Sequence, residues 1–560
     1  MKRSVFLFVL VLVLMPGLVS AHSYYMAGGR VSEEASTFLH VLNPGDDTAD
    51  IVISVYYEKN DSSSFDLKAE PHSSMSLDMS GFASGNFGAV VDSDQPIVVD
   101  SVLYDSAYSG GFGSLAAEEP AFIWYFGEGY SSGMVKTYLY ILNPDVKEAN
   151  IGVTLYYNNG EKKTFNLNVP AGKYMSVDLK EKTQPEKRFG VKVTSTIPVV
   201  VSAGNFNKHF KAASGGIGAN DLSKVWYFPD GLASDESSVF LNMVNPSFGV
   251  AHLTVTMYYE DGSSDSFEET VPANSKSMFM LNNYAEMDKG FSTVVESDIN
   301  VIAELTVYDD SYSAGHGGLG ATSAEEAHYF SSGLVSDKAT TYLAVFNPSE
   351  REAELEITLY YSDGSVEAFD AKAPSLMRST VGLDSVAAEG RGFGISLVSS
   401  EPVVVEEVVY DETYSAGYGY FGTPFLVEVD AVDDSVDDAV GQEVPQDDEY
   451  VLVKEQVVPA SKFKDSISAG LNKAVKYEYE YKGSEVIAWD FDYVDHDASA
   501  DALDAMLTGS LFKIVEVFPT HILGRSAHYF VSSKSAGYLW KNNSDTFIFI
   551  SDKDDPDVAL

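Results

Sequence analysis

Five residues near the end of the chain form the densest group of side chains that could do chemistry. They are the carboxylates Asp490, Asp492, Asp495 and Asp497, with the imidazole of His496 among them. Asp490 and Asp492 lie two residues apart in an alternating segment, so a β-strand would place both on one face. Carboxylate oxygens bind hard cations such as calcium, and a carboxyl pair can also act as acid and base. The interpretation we prefer is simpler: an exposed strand face followed by an acidic turn.

A second group of carboxylates recurs where repeated strands end. Tyr104-Asp105, Tyr308-Asp309 and Tyr410-Asp411 precede similar loops, and Asp310 extends the second of these pairs. Carboxylates at the joints of tandem domains can hold calcium and stiffen the joint. We therefore name as candidate metal ligands Asp490, Asp492, Asp495, Asp309 and Asp310. Calcium is the one cofactor considered, and no other is expected.

Other patterns typical of enzymes are missing from the sequence. There is no cysteine, so thiolate metal sites and cysteine nucleophiles are excluded. The ten histidines are scattered, and neither a His-Glu-x-x-His motif, a Gly-x-Ser-x-Gly elbow nor a phosphate-binding Gly-Lys-Ser/Thr loop occurs. We predict that the protein is not an enzyme.

The amino terminus predicts export. Lys2 and Arg3 precede the apolar run 5–14, and Val19-Ser20-Ala21 has the small residues that signal peptidase needs. The run is shorter than the ~20 residues that span a bilayer, which disfavours the alternative of a membrane anchor. We predict a signal peptide at 1–21, an extracellular or cell-surface location, and no membrane-spanning segment after cleavage. Export without cysteine suits a prokaryotic surface protein.

The charge of the chain limits its partners. The sequence carries 83 acidic and 36 basic residues, a net charge of −47, and removal of Lys2 and Arg3 makes it more negative still. A field of this sign repels nucleic acid and anionic lipid. The expected partners are therefore further copies of the chain, other surface proteins or glycans, and no nucleic acid.

Internal periodicity organises most of the sequence. An Asn-Pro pair occurs four times, at Asn43, Asn143, Asn245 and Asn347, with the same phrases in the same order around each. An aromatic phrase precedes each pair, and an alternating segment that ends in two tyrosines follows it. The repeats predict four domains at 22–121, 122–224, 225–326 and 327–427.

The pattern within a repeat predicts strands. Apolar residues alternate with polar ones, as in Ile151, Val153 and Leu155, and Asn159-Gly160 offers the positive φ angles of a tight hairpin. In repeat 2 we expect seven strands, near 124–127, 137–142, 150–157, 163–168, 173–179, 189–195 and 198–206. The fold class is mostly β, and the four domains are predicted to be immunoglobulin-like β-sandwiches, with a barrel as the alternative. Gly-rich segments are interpreted as loops between domains, which favours an extended rod.

The tyrosine pairs suggest contact residues. Neighbours on a strand point to opposite faces, so one ring of each pair faces the core and the other faces outward. The candidate contact residues, for a neighbouring subunit or a glycan, are Tyr56, Tyr156, Tyr258 and Tyr360. Rings that simply cover a sheet are the other interpretation.

The same phrases resemble a known family. The resemblance is carried in repeat 3 by Trp226-Tyr227-Phe228, Asn245-Pro246 and Met257-Tyr258-Tyr259, and in repeat 2 by Trp124-Tyr125-Phe126-Gly127-Glu128-Gly129. These phrases look like the tandem WYFAEG-type repeat of secreted and cell-wall proteins of bacteria and archaea. The resemblance covers about 22–426. It implies extracellular display or wall association and brings no catalytic residues. Repeat 4 lacks the Trp of this phrase.

Beyond the repeats the composition changes. Residues 428–449 are acidic and predict a solvated linker, with cation binding as the alternative. Residues 450–551 predict a small α+β domain with helices at 461–475 and 499–507, followed by an acidic tail at 552–560. Asn60 and Asn542 stand in N-glycosylation motifs.

These features together predict an exported structural protein of the cell surface: a stalk, a surface-layer element or a filament subunit. The alternative is a surface adhesin or binding module that recognises glycans or another cell.

Overall fold

The computed structural model describes residues 22–105, 111–207, 213–309, 315–411 and 417–423, and seven strands between 451 and 552. The predicted signal peptide, the acidic linker and the acidic tail after 552 lie outside the described residues. The chain divides into two compact units, Met1–Asp430 and Ala431–Leu560. Within the described part no helix is long and apolar enough to cross a membrane.

The first unit contains the four repeats, and its described residues form strands and three short 3₁₀ turns. Repeat 1 has strands β1 His22–Val31, β2 Ala35–Asn43, β3 Ala49–Tyr56, β4 Ser63–Ala69, β5 Ser73–Asp78, β6 Gly85–Ser93, β7 Val98–Asp105 and β8 Gly111–Leu115. Repeat 2 has β9 Ala121–Tyr130, β10 Val135–Asn143, β11 Ala149–Tyr157, β12 Lys162–Val169, β13 Lys173–Asp178, β14 Arg188–Asn207 and β15 Ala213–Ile217. Repeat 3 has β16 Ser223–Phe228, β17 Leu232–Ala233, β18 Ser237–Asn245, β19 Ala251–Tyr259, β20 Ser264–Val271, β21 Ser275–Met280, β22 Lys289–Asp309 and β23 Gly315–Leu319. Repeat 4 has β24 Glu325–Phe330, β25 Ala339–Asn347, β26 Ala353–Tyr361, β27 Val366–Ala373, β28 Met377–Gly382, β29 Phe393–Asp411 and β30 Gly417–Phe421. The 3₁₀ turns are Met79–Gly81, Leu179–Glu181 and Leu281–Asn283.

Each repeat is a sandwich of two antiparallel sheets, so the mostly β prediction is confirmed. In repeat 1 the first sheet has the order β1-β6-β3-β4 and the second sheet the order β5-β2-β7-β8. In repeats 2, 3 and 4 a single long strand (β14, β22 or β29) takes the place of β6 and β7 and runs through both sheets. All seven strands predicted for repeat 2 are present, the last two merged in β14.

The strand order differs from that of an immunoglobulin domain. That domain places its first, second, fourth and fifth strands in one sheet. Here the first, third, fourth and sixth strands share the first sheet. The immunoglobulin-like order predicted from sequence is therefore not found in these repeats, because alternation fixes which residues face the core but not which strands become neighbours.

The buried Asn of each Asn-Pro pair holds its sandwich together. In repeat 3 the Asn245 Nδ2 donates to the carbonyl oxygens of Gly249 (2.8 Å) and Val271 (3.0 Å), and its Oδ1 accepts from the Ser247 N–H (3.0 Å). The side chain thus ties the loop after one strand to the end of β20 and satisfies three main-chain groups. The equivalent asparagines repeat this arrangement: Asn43, Asn143 and Asn347.

The described parts of the Gly-rich segments are strands. The last strands of the four repeats lie against one another, so that β8 contacts β15, β15 contacts β23, β23 contacts β30, and β30 contacts β8. Gly215 and Gly317 have φ angles of 153° and 151°, and a Cβ at either would collide with a carbonyl oxygen of the neighbouring strand. The four repeats therefore close into a ring in which repeat 4 contacts repeat 1. The extended rod predicted from sequence is wrong.

The second unit contains a single described sheet. Its strands are β31 Val451–Val458, β32 Leu471–Tyr481, β33 Ser484–Tyr493, β34 Glu516–Ile522, β35 Arg525–Val531, β36 Ser535–Asn542 and β37 Asp545–Asp552. They are antiparallel in the order β31-β32-β33-β37-β36-β35-β34. The helix predicted at 461–475 is wrong for 471–475, which belong to β32, and the remainder of it lies outside the described residues, as does the helix predicted at 499–507.

We predict that Asn245→Ala lowers the free energy of unfolding by about 2–4 kcal/mol, because it leaves two buried carbonyls and one N–H without a partner. The measurement is the midpoint of urea unfolding followed by tryptophan fluorescence. The matched control is Asn168→Ala, an exposed amide on β12, for which we expect a change below about 0.5 kcal/mol. Equal shifts for the two variants would contradict the assigned role of Asn245.

Candidate functional site: the interfaces between repeats

The tyrosine pairs divide between the core of a repeat and the next repeat. Tyr157, Tyr259 and Tyr361 are buried in their own sandwiches. The other ring of each pair packs on the following repeat: Tyr258 lies 5.0 Å from Phe346, centroid to centroid. The remaining candidate contact residues do the same, with Tyr56 against the core of repeat 2, Tyr156 within that of repeat 3 and Tyr360 beside repeat 1. The partner of these rings is thus the next repeat of the same chain.

Each interface also buries a polar residue at one equivalent position of the second sheet. The position follows from the strand register and is occupied by a carboxyl in three repeats and by a hydroxyl in one. It faces the first strand of the preceding repeat, whose main-chain N–H groups need acceptors when the two repeats meet. The four residues are Asp100, Ser202, Glu304 and Glu406.

At the interface of repeats 2 and 3 the cation is Lys276, which is fully buried. Its Nζ donates to the Gly127 carbonyl (2.7 Å) and to the Asn242 Oδ1 (2.9 Å), and lies 3.9 Å from the Glu128 Oε2. The other oxygen of Glu128 pairs with Arg188. Burial lowers the pKa of Lys276, and the charge of Glu128 opposes that effect.

Glu304 completes this cluster. One of its carboxyl oxygens accepts from the N–H groups of Gly127 (2.9 Å) and Glu128 (3.0 Å). Burial, reinforced by the charge of Glu128, raises the pKa of Glu304 to about 7, although Lys276 and the two N–H groups act in the opposite direction. The interface therefore contains a carboxyl that titrates near neutral pH.

At the interface of repeats 3 and 4 the cation is Arg378, which occupies in repeat 4 the position that Lys276 occupies in repeat 3. Its Nη2 pairs with Asp230 (2.8 Å) and its Nε donates to the Pro229 carbonyl (3.2 Å). The Tyr410 hydroxyl donates to Asp230 (3.0 Å), and His316 Nε2 lies 3.4 Å from the same carboxylate. Burial alone would raise the pKa of Asp230, but the hydrogen bond from His316 and the charge of Arg378 outweigh it and lower the pKa.

Two further carboxyls flank this pair. Glu260 pairs with Arg378 from the exposed side. Glu406 is buried, and burial together with the charge of Asp230 raises its pKa well above the usual range. Arg378 therefore pairs with both Asp230 and Glu260, while the neutral form of Glu406 is favoured.

The interface of repeats 4 and 1, which we call the seam, is held by Asp100, Ser331, Glu407 and Tyr420. Asp100 Oδ2 accepts from the Ser331 N–H (3.0 Å), from its hydroxyl, and from the Tyr420 hydroxyl (2.7 Å). Tyr420 lies 3.1 Å from Glu407 as well. Within the described residues neither carboxyl forms an ion pair with a lysine or arginine, since Ser74 stands where repeats 3 and 4 have Lys276 and Arg378.

The seam carboxyls keep their protons more strongly than ordinary carboxyls. Burial, and then the charge of Asp100, raises the pKa of Glu407 well above its usual range. Burial also raises the pKa of Asp100, against the effects of His40 and of its hydrogen bonds. His40 is itself buried, and burial lowers its pKa. The seam is therefore a hydrogen-bonded cluster whose neutral form is favoured.

At the interface of repeats 1 and 2, the positions that hold charged residues at the other interfaces are occupied by aromatic rings and small side chains. Gly28 faces Tyr140 and Ser202, and Gly88 faces Tyr174. The Tyr174 N–H donates across the interface to the Tyr57 carbonyl (3.4 Å). Packing of large rings on glycine replaces the buried charges of the other interfaces.

The metal site proposed from sequence stays a prediction. Asp490 and Asp492 belong to β33, while Asp495 is outside the described residues. Asp309 ends β22 and Asp310 is outside the described residues. Among the described side chains no group of three His, Asp or Glu residues could hold a metal ion. Asn60 is exposed in a turn, and Asn542 ends β36; their modification stays a prediction.

The interface residues were missed by sequence reasoning, although a signal existed. When the repeats are aligned on their Asn-Pro pairs, one position reads Ser74, Tyr174, Lys276 and Arg378. The four copies of this strand therefore have a hydroxyl, an aromatic ring and two cations at the same position. Residues that differ so much in size and charge do not occupy a position in the core of the repeat. This variation indicates a contact that differs from copy to copy.

Comparison with known proteins adds a family and three structures. A family model described as a family of unknown function (DUF5719) matches residues 223–416. The crystal structure of Thermotoga maritima 1070 is 21% identical over 18% of this chain and 94% of that chain, with a TM-score of 0.17. The Anabaena sensory rhodopsin transducer is 19% identical over 16% of this chain and 99% of its own, with a TM-score of 0.14. The tetra-tandem repeat in the extending region of a large adhesion protein is 9% identical over 68% and 92%, with a TM-score of 0.10. No curated protein matches the chain.

We predict that Lys276→Met destabilises the four-repeat unit by about 3–5 kcal/mol, because Glu128 loses a buried counter-charge and the Gly127 carbonyl loses its donor. The measurement is the urea unfolding midpoint at pH 7. The matched control is Lys289→Met, which removes an exposed cation paired with Asp261 and Glu286, and should cost at most about 1 kcal/mol. A Lys276 variant as stable as this control would refute the assigned contribution.

We also predict that the unit loses stability as the pH rises from 5 to 8. Asp100, Glu304, Glu406 and Glu407 have raised pKa values in the fold, so above about pH 4 these four groups bind more protons in the folded chain than in the unfolded chain. The lowered pKa values of buried His40 and His328 act in the opposite direction, but only below about pH 7. Stability must then fall as the pH passes through the folded pKa values, which for Glu304 means about 7.

The test of this pH dependence is Glu407→Gln, which keeps position 407 neutral at every pH. Its melting temperature should exceed that of the unmodified chain at pH 8, and the difference should disappear near pH 5. The control, Glu268→Gln on the exposed face of β20, should follow the unmodified chain. Parallel pH profiles for all three proteins would contradict the prediction.

Proposed function

We propose that the protein is an exported, non-catalytic structural protein of the cell surface, in which the four repeats form one rigid building block. The observation that supports this is the ring: repeat 4 contacts repeat 1 through the buried seam, and each other pair of neighbours is joined by its own buried contacts. Repeats joined in this way move together, so the unit suits a lattice or filament subunit better than a flexible stalk.

Export supports the same proposal from the sequence. The predicted signal peptide at 1–21 and the resemblance to secreted and cell-wall repeats both support a location outside the cell. We retain two narrower proposals with it: an extracellular location, and an α+β class for residues 450–551, since the helices predicted at 461–470 and 499–507 lie outside the described residues.

The test is imaging of the native protein on its producing cell by immunogold labelling, combined with negative-stain microscopy of the purified protein. We expect label at the cell exterior and ordered polymers or sheets from the purified chain. Deletion of residues 2–21 should retain the protein inside the cell. Label confined to the cell interior in the unmodified strain would refute the proposal.

The alternative, a surface binding module, makes a different prediction in the same experiments. A chain that stays monomeric in negative stain and is enriched on a glycan array or on partner cells would replace the structural function by this one.

A further inference from the structure

Charge is distributed unequally among the four repeats. Repeat 2 (122–224) has 13 basic and 8 acidic residues and is therefore positive, with a net charge of +5. Repeat 1 has 3 basic and 16 acidic residues, repeat 3 has 2 and 17, and repeat 4 has 5 and 15. The ring of four repeats thus contains one positively charged sandwich and three strongly negative ones.

The difference is concentrated on the face of the first sheet that points away from the core of its own repeat. At one end of this face the ring of the tyrosine pair packs on the following repeat. The strand registers define this face by equivalent positions in every repeat, and it carries four carboxylates in repeat 1 and three each in repeats 3 and 4. These are Asp50, Asp66, Asp92 and Asp94 in repeat 1, Glu268, Glu296 and Asp298 in repeat 3, and Glu354, Glu356 and Asp370 in repeat 4. In repeat 2 the same face carries amides, hydroxyls and two lysines, which are Asn150, Thr154, Thr164, Asn166, Asn168, Thr194, Lys162 and Lys192.

The lysines of this face have no acidic partner in the described residues. Lys162 is exposed on the edge strand β12, and Lys192 is half-buried beside it on the same face. Lys163 follows Lys162 on the exposed edge strand, with its side chain on the other side of the strand. We call these three residues the cationic face. Burial, and then the charge of Lys162, lowers the pKa of Lys192, which is the expected response to an uncompensated positive charge.

The lysines on the equivalent faces of repeats 1 and 4 are paired with carboxylates, and so is Lys289 in repeat 3. Lys68 pairs with Asp50, Lys289 with Asp261, and Lys372 with Glu352 and Glu354. These lysines are neutralised within their own repeat. On the cationic face, by contrast, Lys162 donates, among the described residues, only to the neutral Asn274 Oδ1 of repeat 3 (2.9 Å), which leaves its charge uncompensated.

Protection of a sheet edge does not account for the two lysines of β12. Lysine on an edge strand discourages pairing with another chain, and each repeat has the equivalent edge. Yet β20 has Ser264 and Asp265, and β27 has Val366 and Glu367, at the positions of Lys162 and Lys163. The other three repeats thus have the same sheet edge and no basic residue at these two positions.

We propose that the cationic face of repeat 2 docks on the carboxylate-bearing sheet face of a second copy of this chain. The proposal rests on the proposed structural function and names the contact through which copies assemble. A second copy is the partner that fits, because each copy carries three faces of the opposite charge on sheets of the same strand geometry. Rows of opposite charge that face each other attract and fix the register of the contact.

The contact joins two different surfaces, so it is heterologous. A heterologous contact that does not close into a ring continues as a filament or a lattice. Because the contact is between exposed charges, salt weakens it: the Debye length falls from about 10 Å at 0.1 M to about 3 Å at 1 M.

The experiment is sedimentation velocity of the full secreted chain at 50, 150 and 500 mM NaCl. We expect association at 50 mM that is weakened at least tenfold at 500 mM. The double variant Lys162→Glu/Lys163→Glu should weaken association at least tenfold at 50 mM. Adding Glu268→Lys/Glu296→Lys to this variant again gives the chain two faces of opposite charge, and this should recover part of the association. Circular dichroism confirms that each variant is folded.

The matched control is Lys68→Glu/Lys372→Glu, which changes the net charge by the same amount in faces that already carry carboxylates. Association of this variant should equal that of the unmodified chain. Equal weakening by both double variants would show a general effect of net charge and overturn the proposal. A monomer at 50 mM NaCl would overturn it too, and so would a monomer that binds polygalacturonate through Lys162 and Lys163.

The test separates this inference from the proposed function. If the Lys162→Glu/Lys163→Glu chain is still exported and still forms ordered arrays on the cell, the docking contact is wrong and the structural function remains. If the unmodified chain is not at the cell surface, the function itself fails.

Discussion

The structure depends on the burial of polar groups wherever two repeats meet. The first strand of one sandwich presents main-chain N–H groups to the second sheet of the next, and buried N–H groups require acceptors. The chain supplies carboxyls, which brings ionisable groups into the interior of the ring. Each such carboxyl must then be neutralised by a cation, as Lys276 and Arg378 do, or by a retained proton, as in the seam. The cost of an unpaired buried charge is several kcal/mol, which makes the choice at each interface decisive for stability.

The four interfaces reach this balance by different means. One uses a lysine shared between carboxyls, one an arginine bound to Asp230, one a tyrosine hydroxyl between two carboxyls, and one glycine against large rings. Since the groups differ, a repeat placed beside the wrong neighbour would bury an unmatched charge. We infer that the interfaces also determine the order of the repeats around the ring.

Much of the fold followed from local pattern. Alternation located the strands, because side chains of period 2 face a core, and Asn159-Gly160 marked a hairpin whose Gly160 has the expected positive φ of 78°. The asparagines of the Asn-Pro pairs identified the period, and their buried hydrogen bonds explain why that residue is needed in every copy.

What local pattern could not supply was the contact between repeats. Ala213–Ile217 and Gly315–Leu319 are strands that use glycine for close approach, yet their composition is that of a loop. The polar members of the interfaces come from different repeats, such as Asp100 and Tyr420, and only the ring brings them together.

Closure of the ring limits how the gene for this protein can change. A linear array of repeats gains or loses members by recombination, because each contacts only its neighbours in sequence. In this chain the last strand of repeat 4, β30, contacts the last strand of repeat 1, β8, so the two ends of the array are neighbours. A fifth copy would have no place between them, and a chain of three would leave Asp100 facing a strand that it does not match. The copy number is therefore a property of the folded unit, and the four sequences are free to diverge because they can no longer be exchanged.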